Sequence, residues 1–206
     1  MAFAIRLAGP HDAPFIVELY RPAVESTPIS FETDPPSAFE MGRRIEETLC
    51  FYPWLVGEYE GRVIGYAYAA THSARAAYRW SCDTSVYVDA AFQRRRVGRA
   101  VYTSLLRILV AQGHFSAYAG ITLPNPASIA LHESVGFRPL GVYRNVGYKL
   151  GAWHDVGWWQ LELQAPRTSP LPPVGIDVLQ QDPSWPMLVG AGESVAHMQS
   201  GDLSAT

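Results

Sequence analysis

The sequence is poor in the features that mark metal proteins, disulfide scaffolds, nucleic-acid binders and membrane proteins. Its 206 residues hold only two cysteines, Cys50 and Cys82. They lie far apart, with no second CxxC pair and no histidine set at ligand spacing, so neither a metal nor a disulfide framework is expected. Such usage fits a reducing compartment, and a cytoplasmic location is expected. With 16 Lys and Arg against 19 Asp and Glu, the chain lacks the basic footprint of a nucleic-acid binder. No apolar run approaches the roughly 20 residues that span a bilayer, and the first residues lack the basic-then-apolar layout of a signal peptide, so no membrane partner is expected. No GxGxxG follows a strand with an acid about 20 residues on, which argues against a dinucleotide-binding oxidoreductase.

What is present is a 48% hydrophobic composition, enough for one substantial core. The pattern starts with an alternating strand at 3–7 and a turn whose Asp12 is placed to cap a helix from Ala13 to Glu25. A proline-rich stretch from Ser26 to Pro36 follows, then a second helix from Ser37 to Leu49. Trp54–Tyr59 and Val63–Ala70 read as strands joined by a short hairpin-type turn over Glu60, Gly61 and Arg62. A strand at Ser85–Asp89 leads through a basic loop into an amphipathic helix over Val97–Gln112. A strand over Ser116–Leu123, a helix over Pro126–Val135 and two strands near Gly141–Leu150 and Val156–Leu163 complete the series. The order β-α-α-β-β-β-α-β-α-β-β implies an α/β sandwich, with helices flanking a mixed, mostly antiparallel central sheet. One domain is expected over 1–165. Residues 166–206, where prolines cluster and apolar periodicity fades, are expected to be an extended or loosely ordered tail.

Three segments could carry chemistry. In the first, Val86–Arg99, a strand ends, Gln93, Arg94, Arg95, Arg96 and Arg99 gather, and a helix begins, so free backbone N–H groups and a positive dipole end converge as they do at phosphate sites. The charges alone equally describe a solvated basic helix start. In the second, a helix opens after Asn125 and ends at Gly136, with His132 four residues beyond Ser128. A lone helical histidine is more often structural or surface-exposed than catalytic. In the third, Asp83 enters a strand just ahead of the basic loop, where a turn or capping role is the bland alternative.

Taken together and in this order, the three segments resemble the GNAT acetyltransferase signature. The pattern Q/R-x-x-G-x-G/A reads as Gln93 to Gly98, and the Asn-x-x-Ser helix ending in Gly-Phe reads as Asn125 to Phe137. The likeness is closer still to phosphinothricin N-acetyltransferases and extends over about residues 3–163, including Tyr52–Val56, Ser85–Val88, His132 with Glu133, and Trp153–Leu161. It implies the GNAT fold, acetyl-CoA as co-substrate without a metal, a small amino-acid-like acceptor and a homodimer.

Carried over, the resemblance assigns acetyl-CoA to Val86, Tyr87, Val88, Gln93, Arg94, Arg95, Arg96, Val97, Gly98, Arg99, Asn125 and Ser128, largely through main-chain groups. It gives Asp83 the role of general base, directly or through water, and sets His132 near the departing thiolate. Phe31, Arg75 and Tyr78 would line the acceptor pocket, with Arg75 gripping a carboxylate or phosphinate. An oxyanion donor is expected among the N–H groups near Val86–Val88. Two positions depart from the pattern. Arg96 stands where a loop glycine is usual, so the loop takes an Arg-compatible conformation or binding weakens. Asp83 is one methylene shorter than the usual Glu, which leaves it dependent on a bridging water. Within the fold, methionine sulfoximine, another amino acid or a protein N-terminus are alternative acceptors. A non-catalytic acyl-CoA-binding module is the alternative from another class.

Overall fold

The computed structural model describes residues 3–198. Seven strands form one sheet: β1 Ala4–Leu7, β2 Trp54–Tyr59, β3 Arg62–Thr71, β4 Ser81–Val88, β5 Ser116–Leu123, β6 Arg138–Lys149 and β7 Ala152–Glu162. They lie in the order β1-β2-β3-β4-β5-β7-β6. Every pairing is antiparallel except β4 with β5. On one face pack α1 (Ala13–Glu25) and α2 (Ala38–Leu49); on the other pack α3 (Val97–Gln112) and α4 (Pro126–Ser134). This is the α/β sandwich expected from the sequence.

Local chemistry explains most boundaries. Ser37 accepts a hydrogen bond from the Glu40 backbone and caps α2. Glu60 and Gly61 both adopt positive φ between Tyr59 and Arg62, the type I′ geometry that matches strand twist in a two-residue hairpin, and Leu150 with Gly151 repeats it between β6 and β7. That second turn lets the last two strands run further than their apolar pattern suggested, so β6 begins at Arg138 and β7 at Ala152. β4 likewise begins at Ser81 because its pairing with β3 reaches Thr71 opposite Cys82. Asp12 does not cap α1. Its buried carboxylate accepts two hydrogen bonds from Arg6, at 2.7 and 2.8 Å, and one from the Gly9 backbone. A short 3-10 turn over Pro10–Asp12 carries the chain into the helix instead.

Two apolar layers sandwich the sheet. Ile16, Val24, Ile45, Trp54 and Tyr66 fill the α1–α2 side, while Leu55, Ala67, Cys82, Val101, Tyr102, Leu105 and Ile108 fill the α3 side. Lys149, at the end of β6, turns inward and donates to the carbonyls of Val24 and Ser30, pinning the loop between α1 and α2 against the last hairpin.

The segment expected to be loosely ordered packs instead through residue 198. Gln112 donates to the carbonyls of Phe51 and Val174, and Trp80 donates to Leu171. Two short helices, α5 (Ile176–Leu179) and α6 (Trp185–Gly190), follow; Ile176 and Leu179 are buried, and Trp185, Leu188 and Val195 lie on the α3 core. The prolines obscured this, because the apolar residues between them are too widely spaced to read as periodic yet still close over the back of α3. Glu193 accepts from the Ile5 backbone, which covers an otherwise open donor on the edge strand β1. Residues 199–206 lie outside the described residues.

Gly192 is the closest point of this wrap. Its N–H donates to buried Ser104 Oγ at 3.0 Å, and a Cβ there would collide with the Ala100 carbonyl. Gly192→Ala is expected to cost about 2 kcal/mol, as overpacking does, and to lower Tm by roughly 4–8 °C for a chain of this size. Gly141→Ala, which meets nothing within 4 Å, should stay near wild type in the same thermal melt.

Candidate active site

The sheet opens in the middle. β4 and β5 pair only over Ser81–Asp83 with Ser116–Tyr118. Beyond that point β4 stays on β3 as far as Val88, and β5 stays on β7 as far as Leu123. The two strands therefore part in a V whose apex is Asp83. A narrow cleft of about 50 Å³ lies in the split, lined by Thr84, Ser85, Val86 and Tyr87 on one side, Gly120–Thr122 on the other, and Asn125, Ser128 and His132 from α4.

At the open end of β4, Arg94 and Arg96 both take left-handed φ, at 63° and 61°. So the position where a glycine is usual is filled by an arginine in a glycine-like conformation. That costs on the order of 1–3 kcal/mol. No side chain caps α3, whose first intrahelical bond runs from the Ala100 N–H to the Arg96 carbonyl. The N–H groups of Val97, Gly98 and Arg99 thus have no acceptor within the helix. Gln93, Arg94, Arg96 and Arg99 are exposed around them, whereas Val97 and Gly98 are buried and offer only backbone. Gly98 must be small, since a Cβ would lie 3.0 Å from Leu131 and 3.2 Å from Val88. Unpaired donors, flanking arginines and a groove between two strand edges fit a pyrophosphate and its extended acyl-bearing arm.

Asp83 and Thr84 are neighbours on β4 and point to opposite faces. Asp83 faces the α1–α2 side; burial raises its pKa, partly offset by His72. His72, just past β3, lies with Nδ1 2.6 Å from Asp83 Oδ1 and its ring stacked on Tyr118 at 4.3 Å. Sequence reasoning passed over His72; the signal was the β3–β4 pairing, which carries the residue after Thr71 back to Asp83.

On the other face Thr84 joins a buried polar group with Tyr102 and His132. His132 is 4 % exposed, and burial lowers its pKa. Its Nδ1 lies 2.7 Å from the Ser128 carbonyl, so the proton sits there, and Nε2 accepts from Tyr102 at 2.8 Å. Thr84 Oγ1 stands 3.1 Å from the same hydroxyl. His132 lines the cleft, but both nitrogens are engaged, so it holds no spare N–H for a leaving group. Tyr102 was also unforeseen, because its place in α3 reads simply as core.

The expected acceptor residues gather less tightly. Phe31 leans over the last hairpin, where a Cβ at Gly147 would strike its ring, and lies 6.4 Å from His154. Tyr78 is half-exposed and edge-on to His72 at 5.9 Å. Arg75 is exposed, with no ion pair among the described residues. Asn125 Oδ1 accepts from the Ser128 N–H, so that atom caps α4. A cavity of about 430 Å³ lies on the Asp83 face under α2, walled by Trp54, Tyr66, Tyr68, Arg44 and Glu32. Tyr68 and Ala70, which pairs with Asp83, share that face.

Residues 5–158 match the acetyltransferase (GNAT) domain family. The chain belongs to that family, and its fold is the GNAT fold. It is 41% identical over 162 residues to the phosphinothricin N-acetyltransferase of Streptomyces viridochromogenes, covering 79% of this chain and 88% of that protein. It is 35% identical to the L-methionine sulfoximine/L-methionine sulfone acetyltransferase of Salmonella typhimurium, over 77% of this chain and 94% of that one. A Sinorhizobium meliloti phosphinothricin acetyltransferase crystallised with acetyl-CoA superposes with a TM-score of 0.77 at 33% identity, over 84% of this chain and 97% of that one. Among the described residues no cluster of three metal-ligating side chains occurs, and no helix is long and apolar enough to cross a membrane.

Removing the Tyr102 hydroxyl leaves the buried His132 Nε2 without its donor. Tyr102→Phe is expected to cost about 1–3 kcal/mol, the usual penalty for an orphaned buried polar atom, read from the urea midpoint at unchanged m-value.

Proposed function

We propose that the protein transfers the acetyl group of acetyl-CoA to the amino group of a small amino-acid-like acceptor such as phosphinothricin. The observation that carries this reading is the sheet split with Asp83 at its apex. The split runs from the free N–H groups of α3 to a carboxylate that burial makes more basic. Five strand steps from Asp83 to Val88 cover roughly 17 Å, a span suited to an extended pantetheine arm.

Acetyl-CoA, when bound, supplies the electrophilic thioester carbon. Val97, Gly98 and Arg99 hold the pyrophosphate through their backbone, with hydrogen bonding from Gln93 and charge from Arg94, Arg95, Arg96 and Arg99. Val86, Tyr87 and Val88 offer strand-edge groups to the arm, and one of their N–H groups is placed to stabilise an oxyanion. Asn125 and Ser128 close the groove from α4. Asp83 governs removal of the amine proton. Phe31, Arg75 and Tyr78 surround the acceptor, Arg75 being a guanidinium with no competing partner. Buried Cys82, whose thiol is pushed well above its ordinary range, is unsuited to an acyl-cysteine route.

Saturable thiol release from acetyl-CoA is expected with phosphinothricin or methionine sulfoximine. Asp83→Ala should lower kcat/KM by roughly 10²–10³-fold, as loss of a general base does. His132→Ala should slow kcat only about tenfold, because a thiol with a pKa near 8.5 leaves with little help. Absence of thiol release with every acceptor offered, despite measurable acetyl-CoA binding, would instead favour the non-catalytic acyl-CoA module.

The same reading includes a homodimer through the last hairpin. β6 is an edge strand, and it leaves Leu140, Tyr143, Val146, Tyr148 and, on β7, Trp153 exposed side by side, an apolar surface of the kind that marks an interface. Light scattering should find a dimer in solution, and Leu140→Asp should shift it toward monomer.

A further inference from the structure

His72 has a role that the acetyltransferase reading does not assign. Its ring is held on three sides, stacked on Tyr118 at 4.3 Å and 18°, and edge-on to Tyr78 at 5.9 Å and to Trp158 at 6.3 Å. A carboxylate can only accept, so the 2.6 Å contact fixes a proton on Nδ1 that is donated to Asp83 Oδ1. The lone pair is thereby left on Nε2. The side chain is 24 % exposed, open enough to pass a proton to water. Tyr118 is itself anchored, accepting a hydrogen bond from Gln160.

We infer that the proton acceptor of this enzyme is Nε2 of His72, with Asp83 as the residue that positions it. The inference rests on the acyl-transfer reading above and deepens it. The short side chain of Asp83 explains the arrangement. An acid one methylene longer could reach an amine itself, whereas Asp83 reaches an imidazole that extends the base by the width of a ring. The constellation repeats the carboxylate–imidazole logic in which the acid sets the tautomer and steadies the imidazolium.

The proton balance is simple. The acceptor arrives as an ammonium ion and gives one proton to His72 Nε2. Its freed lone pair forms the nitrogen–carbon bond, the carbon–sulfur bond breaks, and the second proton lost from nitrogen ends on the thiol. The imidazolium, steadied by Asp83, returns its proton to solvent. The titratable groups facing this pair are Tyr78 after β3 and Tyr118 on β5. Tyr52 and Tyr68, each with a raised pKa, stand close enough to Asp83 to feel its charge. None brings a positive charge against the imidazole.

The test compares wild type, His72→Ala, His72→Gln and Asp83→Asn, with methionine sulfoximine or phosphinothricin as the amine. Both His72 variants should lose kcat by roughly 10²–10³-fold while KM for acetyl-CoA moves less than about threefold. The acid limb of the wild-type kcat/KM profile should disappear or move in His72→Ala. Added imidazole should restore His72→Ala, in proportion to its neutral form, and not Asp83→Ala. Turnover of His72→Ala within about threefold of wild type, with an unchanged pH profile, would overturn the inference, as would a loss confined to KM. If wild type acetylates no amine, the acyl-transfer reading fails by itself. The pair can then still be judged by nitrogen NMR, where the Nδ1–H tautomer of His72 should dominate in wild type and be lost in Asp83→Asn. An Nε2–H tautomer in wild type would refute the arrangement outright.

Discussion

Everything functional in this molecule depends on the point where β4 and β5 stop pairing. Strand edges inside a protein are costly when their N–H and C=O groups lack partners, and most sheets avoid the cost by continuing the ladder. Here the ladder ends after Asp83 and Tyr118, and each strand keeps only its outer neighbour. The open edges form a groove with hydrogen-bonding walls. One end is closed by the start of α3, whose first N–H groups have no helical acceptor, and the other by a carboxylate. A groove of this shape selects a long, thin ligand with an anionic end and a reactive end.

The rest of the fold keeps that opening from collapsing. On one side Lys149 ties the last hairpin to the loop between α1 and α2, which carries Phe31 onto Gly147. On the other, α3 cannot shift, because residues 171–196 wrap its far surface and seat Gly192 against its backbone. The match to the family ends at residue 158, so this wrap is an addition to the family domain. It also reaches the loop ahead of α3: the His197 N–H donates to the Arg95 carbonyl at 2.9 Å, and the Arg96 guanidinium lies 3.1 Å from the His197 ring. An arginine held in a left-handed conformation is more tolerable when its side chain has a fixed partner.

The order of elements and the first hairpin were legible because each rests on local chemistry: a period, and a short turn between two apolar runs. The Leu150–Gly151 turn and the Ser37 cap of α2 emerged only with the structure. The loop at Gln93–Arg99 and the helix after Asn125 were legible for the same reason. What escaped reading depends on contacts far apart in sequence. Asp12 has the residue type and place of a helix cap, yet Arg6 sits across from it and takes its oxygens. The apolar residues between 171 and 195 have no period of their own and gain one only from the surface of α3. His72 lies eleven residues from Asp83 with a turn between, and nothing in either residue's neighbours announces the pair. Tyr102 looks like any buried helix residue until Thr84 and His132 are seen to converge on it.

The two histidines near the split show why residue type alone could not assign roles. Successive residues of β4 face opposite ways, so Asp83 and His72 lie on the α1–α2 face while Thr84, Tyr102 and His132 lie on the α3–α4 face. His132 is enclosed, and the Ser128 carbonyl and the Tyr102 hydroxyl occupy its two nitrogens; burial disfavours its charged form, so it stays neutral and keeps the wall of the split polar without placing a cation there. His72 is clamped by rings that leave Nε2 free, and its Nδ1 is held by the Asp83 carboxylate. A proton taken from the amine therefore has a place to go on one face. A departing thiolate needs no strong acid, because it is already a competent leaving group near neutral pH. The split keeps these two demands apart: the side that must accept charge has a carboxylate behind its imidazole, and the side that need not is built from neutral hydrogen bonds.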